Sequence, residues 1–155
     1  MLTKDLFKKP KNDLEHGEGA LPGTGATGEE PCVACPRCHK VLFVRDLEDS
    51  LYVCGHCSHH FRIGPRWRLT KLLDEGSFEE FDRELRSFNR IGFPGYEKKL
   101  EKAQENSGEE EGVLTGRGRI GGFPCALFAM NPDFMMGSMG SVVGEKIPRL
   151  FEYAL

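Results

Sequence analysis

No stretch of this 155-residue sequence approaches the roughly 20 consecutive apolar residues a membrane-crossing helix needs. Its charged start, Met1 to Lys11, has no apolar segment behind it. These absences exclude a helical membrane anchor and a secretory leader of the usual form, and they predict a cytoplasmic protein. Residues 12–31 lack large apolar side chains almost entirely and are rich in glycine, acid and proline. Such a segment buries too little surface to offset the entropy of ordering it, so residues 1–31 read as a flexible leader. The whole chain is 39% hydrophobic, enough for one modest packed domain with a small accessory module.

There are six cysteines, and five of them fall between Cys32 and Cys57. With no sign of secretion, reduced thiols that bind metal are a better reading than a disulfide scaffold. Cys35-x₂-Cys38 and Cys54-x₂-Cys57 lie fifteen residues apart, and each pair places two thiolates on one tight turn, so that two turns complete a tetrahedron for Zn²⁺. Spacing alone also admits Cys32 with Cys35 as the first pair. Two local features favour the later pair. Four residues beyond Cys38 and Cys57 stand the matched apolar residues Leu42 and Phe61, and Pro36 stiffens the first turn. Cys32 is therefore assigned as an extra thiol. Four thiolates leave no open coordination position, which makes this one structural zinc per chain, with His39, His56, His59 and His60 facing solvent or lying outside the ligand set. Phe43, Leu51, Tyr52 and Val53 are expected to supply strands of a zinc ribbon over residues 32–64.

Charge is strongly segregated. Basic residues exceed acidic ones by four over residues 31–72, whereas acids exceed bases by six over residues 73–112. Arg37, Lys40, Arg45, Arg62, Arg66 and Arg68 beside Phe43, Tyr52, Phe61 and Trp67 raise an alternative reading of the ribbon as a nucleic-acid-binding module. Solvated surface charge is the commoner cause of such a bias, and the acidic remainder of the chain would repel a polyanion.

Beyond the ribbon, Gly64-Pro65 opens a helix with an apolar stripe of Leu69, Leu72 and Leu73, ended by Gly76. Ser77 and Glu80 form a capping-box pattern that predicts a short acidic helix carrying Phe78 and Phe81. A charged helix follows from Tyr96 to about Asn106, stopped by Gly108. Val113–Ile120, the Gly121-Gly122 turn and the apolar run Phe123–Met130 predict a hairpin with the second strand deeply buried. Cys125, alone in that run, reads as an inert core residue. Gly137, Ser138, Met139 and Gly140 then lead into a helix over Ser141–Leu155, where Pro148 should disturb the hydrogen-bond ladder. The absence of a closing cap after this helix reads as a fold interrupted, so a fragment of a longer protein is expected.

The segments CPRCHKVLFVRDLEDSLYVCGHCSHHFRI, LLDEGSFEEFD and FMMGSMGSVVGEKI, in this order, resemble the zinc-containing β subunits of bacterial and plastid acetyl-CoA carboxylase carboxyltransferase. The likeness covers about residues 32–155. It implies an α/β protein in which the zinc ribbon precedes, over residues 65–155, the first part of a crotonase-like ββα superhelix domain. It further implies transfer of a carboxyl group from carboxybiotin to acetyl-CoA, giving malonyl-CoA for fatty acid synthesis. The partners implied are a carboxyltransferase α subunit, biotin carboxylase and the biotin carboxyl carrier protein that brings the biotin. Backbone donors of Gly137, Ser138, Met139 and Gly140 are candidates to line the acyl-CoA site, with a plain packing turn as the alternative. The likeness carries over no catalytic side chain, because the family's main oxyanion turn lies beyond the residues present, and the 155-residue chain alone is expected to be inactive. Met136 stands where the family usually has a further glycine.

Overall fold

The computed structural model describes residues 31–155, so the expected leader lies, apart from Pro31, outside the described residues. The first element is a short antiparallel pair, β1 (Cys32–Ala34) and β2 (Val41–Phe43), with Val33 opposite Leu42. The helix α1 (Val44–Asp49) follows at once and buries Leu47. The strand expected from Leu51 to Val53 does not form. Leu51 and Tyr52 adopt left-handed backbone, with φ of 53° and 59°, and only Val53 makes a single bridge, to His60. The reason is local: the amides of Leu51 and Tyr52 are taken by the carbonyls of Glu48 and Leu47 at the end of α1. This tight exit sets the Tyr52 ring edge-on against Trp67, centroids 4.7 Å apart.

Trp67 belongs to α2 (Pro65–Leu72), which has its proline in the first turn, where a missing N–H costs nothing. Leu69 and Leu73 are buried, but Leu72 is exposed, so the apolar stripe is narrower than expected. The helix ends four residues before Gly76. There Asp74 turns toward the hairpin: its amide donates to the Arg119 carbonyl, and its carboxylate accepts the amides of Gly121 and Gly122 at 2.8 and 2.7 Å.

The same competition overturns the short acidic helix. Glu79–Phe81 is instead the strand β3, paired antiparallel to β4 (Val113–Ile120). Ser77, whose hydroxyl would have capped a helix, accepts the Arg119 amide. A ladder to a buried strand and two side-chain anchors outweigh the local helix signal. Arg66 of α2 reinforces the arrangement, reaching Glu109 through both Nε and Nη2, at 2.6 and 2.7 Å, and Glu80 of β3 at 3.0 Å.

Helix α3 (Tyr96–Ser107) buries only Ala103 and is closed by Gly108 in left-handed backbone, as its charged sequence leads one to expect. β4 and β5 (Phe123–Met130) form the hairpin in full register, Val113 opposite Met130 and Ile120 opposite Phe123, across the two-glycine turn. The burial is the reverse of the expected one. β4 is central in the order β3-β4-β5 and buries Val113 to Gly116, while β5 is an edge strand with Phe123 and Phe128 exposed. One face of the sheet carries Leu114, Cys125, Leu127 and Ala129 against Leu69, Leu73 and Phe78. The other face meets α4 (Ser141–Ala154), where Phe128 pairs with Phe151 and Phe81 with Tyr153. Hairpin and helix thus make one ββα unit. α4 runs through Pro148 as a single helix and buries Val143, Lys146 and Leu150, one face at spacings of three and four.

Candidate functional site

The two cysteine turns have the same backbone pattern. The amide of His39 donates to the Cys35 carbonyl, and that of Ser58 to the Cys54 carbonyl, at 2.8 and 2.9 Å. The amides of Cys35 and Cys54 close each turn on the carbonyls of Lys40 and His59, both at 2.8 Å. His39 and Ser58, each one residue past the second cysteine, both take left-handed backbone. Two equivalent knuckles therefore face each other, and all four sulfurs lie within 4.8 Å of one another. Cys35 and Cys57 are 3.6 Å apart and Cys38 and Cys54 are 3.7 Å apart. A Zn–S bond of about 2.3 Å places the corners of a tetrahedron about 3.8 Å apart, so the set fits Zn²⁺ with little adjustment. No histidine joins the group among the described residues, and Cys32 sits on β1 outside it.

Electrostatics suit metal capture. Burial raises the Cys35 thiol, but the backbone N–H groups of Cys38 and Arg37, with the Cys38 and Cys57 sulfurs, outweigh it and bring it down to about 7. Burial pushes the Cys57 thiol up to about 12, the Cys38, Cys54 and Cys35 sulfurs adding to the rise and the His59 backbone hydrogen bond opposing it. Thiolates are the ligands Zn²⁺ requires, so affinity would fall as pH falls. Serine at position 38 or 57 is expected to reduce the bound zinc measured by elemental analysis, whereas Cys32→Ser is expected to retain one zinc per chain. Loss of zinc from the Cys32 variant would put that sulfur in the ligand set.

The second candidate region joins β5 to α4. Asn131 is fully buried; its amide donates to the Gly112 carbonyl, its Oδ1 accepts the Asp133 amide at 3.0 Å, and its Nδ2 has no partner. Phe134 is buried beside Gly112. Met135, Met136 and Gly137 then follow in left-handed backbone, with φ of 45°, 57° and 70°. The turn leaves Ser138, Met139 and Gly140 exposed at the head of α4, whose first amides no side chain caps. The arrangement offers accessible N–H donors at the positive end of a 14-residue helix. Met136 carries a side chain in backbone that favours glycine. Met136→Gly is expected to stabilise the chain by about 1 kcal/mol in urea unfolding, and an equal or larger loss of stability would contradict the left-handed assignment.

Sequence reasoning missed the residues tying these regions together. Arg62, just past the second knuckle, reaches Asp133 at 3.4 Å. Lys146 is buried on α4 and lines a cavity of about 120 Å³ with Arg66, Glu80, Glu109 and Glu111. Glu111, also buried, accepts the Ser87 amide. None has a local pattern separating it from solvated surface charge.

Comparison with known proteins identifies relatives of this chain. The chain is 48% identical over 158 residues to the acetyl-coenzyme A carboxylase carboxyl transferase subunit beta of Ruminiclostridium cellulolyticum, covering 99% of this chain and 54% of that protein. It is 51% identical over 172 residues to the protein of the same name from Desulfitobacterium hafniense, covering 99% of this chain and 57% of that one. The chain thus spans about half the length of these curated relatives. Among solved structures, transcarboxylase 12S matches 60% of this chain and 16% of its own at 30% identity, with a TM-score of 0.49. A family model described as the carboxyl transferase domain matches residues 62–155, more than half of the chain. By that match, the chain belongs to the carboxyl transferase domain family.

Proposed function

We propose that this chain is part of the β subunit of an acetyl-CoA carboxylase carboxyltransferase, which moves a carboxyl group from carboxybiotin to acetyl-CoA and releases malonyl-CoA. The observation that carries the reading is one sequence that places a four-cysteine knuckle immediately before a carboxyl transferase domain, with near-complete alignment to β subunits. Residues 32–64 form the zinc ribbon, in which Cys35, Cys38, Cys54 and Cys57 hold one structural Zn²⁺. Residues 65–155 form the opening part of the transferase domain, with β4, β5 and α4 as its first ββα turn. The metal supplies cross-linking alone, since four sulfurs leave no position for water or substrate. An α subunit, biotin carboxylase and the biotin carrier protein are the partners, in the cytoplasm.

The chemistry demands that the acetyl methyl group lose a proton and attack carbon, so negative charge develops on the thioester oxygen. Preorganised N–H donors lower that barrier. In the segment Gly137, Ser138, Met139 and Gly140, the first two amides are taken by the carbonyls of Phe134 and Met135, so the amides of Met139 and Gly140, with the uncapped first turn of α4, supply donors of this type on the acyl-CoA side. The test is a chimaera in which residues 31–155 replace the matching segment of the R. cellulolyticum β subunit, combined with the α subunit that accompanies it. Malonyl-CoA formation from acetyl-CoA is expected. A folded, zinc-loaded, α-bound chimaera that makes none would refute the assignment.

Nucleic-acid binding by the ribbon is the second reading, and the surface argues for charge rather than base recognition. Of the aromatics beside the basic residues, Tyr52 is buried against Trp67 and Phe61 packs on His59, which leaves Phe43 as the exposed ring. Any binding is therefore expected to be insensitive to sequence and abolished by salt, as read in a filter-binding titration between low and physiological ionic strength. Tight, sequence-selective binding at physiological salt would reverse the ranking.

A further inference from the structure

We propose that Arg62 is a positioning residue through which the zinc ribbon sets the conformation of the Met135–Gly140 turn. The ribbon end of the link is fixed by the second knuckle. The Cys54 amide holds the His59 carbonyl, His60 bridges to Val53, and the Phe61 amide donates to the Tyr52 carbonyl at 2.9 Å. Arg62 is the next residue, so its placement depends on the two metal-binding cysteines just before it. Its guanidinium reaches Asp133 across 71 residues of sequence.

The far end is equally constrained. Asp133 lies between two buried anchors, Asn131 and Phe134, and its amide is held by the Asn131 side chain. A shift of Asp133 therefore carries Phe134 with it. The left-handed run Met135–Gly137 begins at the following residue and is held to Phe134 through the Gly137 amide at 2.9 Å. The ribbon's Tyr52–Trp67 contact leads to α2 instead of to this turn. The ion pair is partly solvent-exposed at both ends, so its influence on a local opening equilibrium is about two- to fivefold. That is enough to tune a turn and too little to hold the fold together.

The consequence for acetyl-CoA rests on the proposed reading of Gly137–Gly140; the mechanical tie does not. Amide hydrogen exchange at residues 134–141 of the zinc-loaded 155-residue chain tests it without substrate. Arg62→Gln and Asp133→Asn are each expected to speed exchange there about threefold, with zinc content unchanged and the β4–β5 amides unaffected. The double variant is expected to exchange no faster than either single one, because both remove one interaction. Multiplying effects in the double variant, unaltered exchange in Arg62→Gln, or a uniform acceleration across the chain would overturn the proposal. In the chimaera, Arg62→Gln is expected to raise the KM for acetyl-CoA with kcat little changed. A turn that loosens without any change in KM would leave the tie standing and remove only the acyl-CoA role of the turn.

Discussion

Stripping zinc from the metal-loaded chain is expected to unfold residues 35–63 while leaving the three-stranded sheet and α4 in place. Within the ribbon the only buried apolar side chains besides Cys35 and Cys54 are Leu47 and Tyr52. Its strands are three residues each, and an isolated two-stranded hairpin of that size is marginal in water. Ordering each residue costs on the order of 1 kcal/mol or more of backbone entropy, which two side chains do not offset. The Tyr52–Trp67 edge contact and the Arg62–Asp133 pair together add only about 1–2 kcal/mol. A structural zinc site contributes about 10–16 kcal/mol of apparent binding energy at neutral pH, so bound metal is expected to decide whether this segment is folded. Amide protection mapped before and after chelation reads the effect directly, and the Trp67 emission should shift to the red as Tyr52 leaves it. Protected amides across 35–63 in the chelated chain would contradict this account of the ribbon.

Gly116→Ala should be the most damaging single substitution in the sheet. A Cβ at that position would lie 2.3 Å from the Glu79 carbonyl oxygen and 2.7 Å from the Phe78 ring. The first contact is with backbone on the paired strand, so β3 must move away from β4 and surrender its ladder. We expect a loss of about 3 kcal/mol, lowering Tm by roughly 10 °C for a chain of this size. Gly118→Ala is the control, since its Cβ would meet only the end of the Leu73 side chain, at 2.9 Å. A rotamer change relieves that clash, and the expected cost is about 1 kcal/mol. Equal Tm values for the two variants would show that β3 is not held as described.

What the sequence makes legible is governed by how local the cause is. The hairpin could be read because Gly121 and Gly122, both left-handed in the structure, sit between two eight-residue strands. Helix α3 could be read because its stop residue, Gly108, takes left-handed backbone. The short acidic helix failed for a non-local reason. Ser77 and Glu80 do form a capping pattern, but their partners, Arg119 and Arg66, lie in other elements. Burial in the hairpin was misjudged because apolar content says that a strand meets apolar neighbours, not whether it lies at the centre or the edge of its sheet. The cysteine cluster was legible from spacing, since each knuckle is a closed local turn. The pairing of Arg62 with Asp133 was not, because the two are ordinary charges until the fold brings them together.

In the proposed ribbon, four thiolates organise residues 32–64 around one cation. X-ray absorption at the zinc edge on the purified chain tests this most directly, with metal content measured on the same sample. One zinc per chain, surrounded by four sulfurs at about 2.3 Å, is the result predicted for the wild type and for Cys32→Ser alike. A first shell containing nitrogen or oxygen, or an undiminished four-sulfur shell in a Cys38→Ser or Cys57→Ser variant, would contradict it.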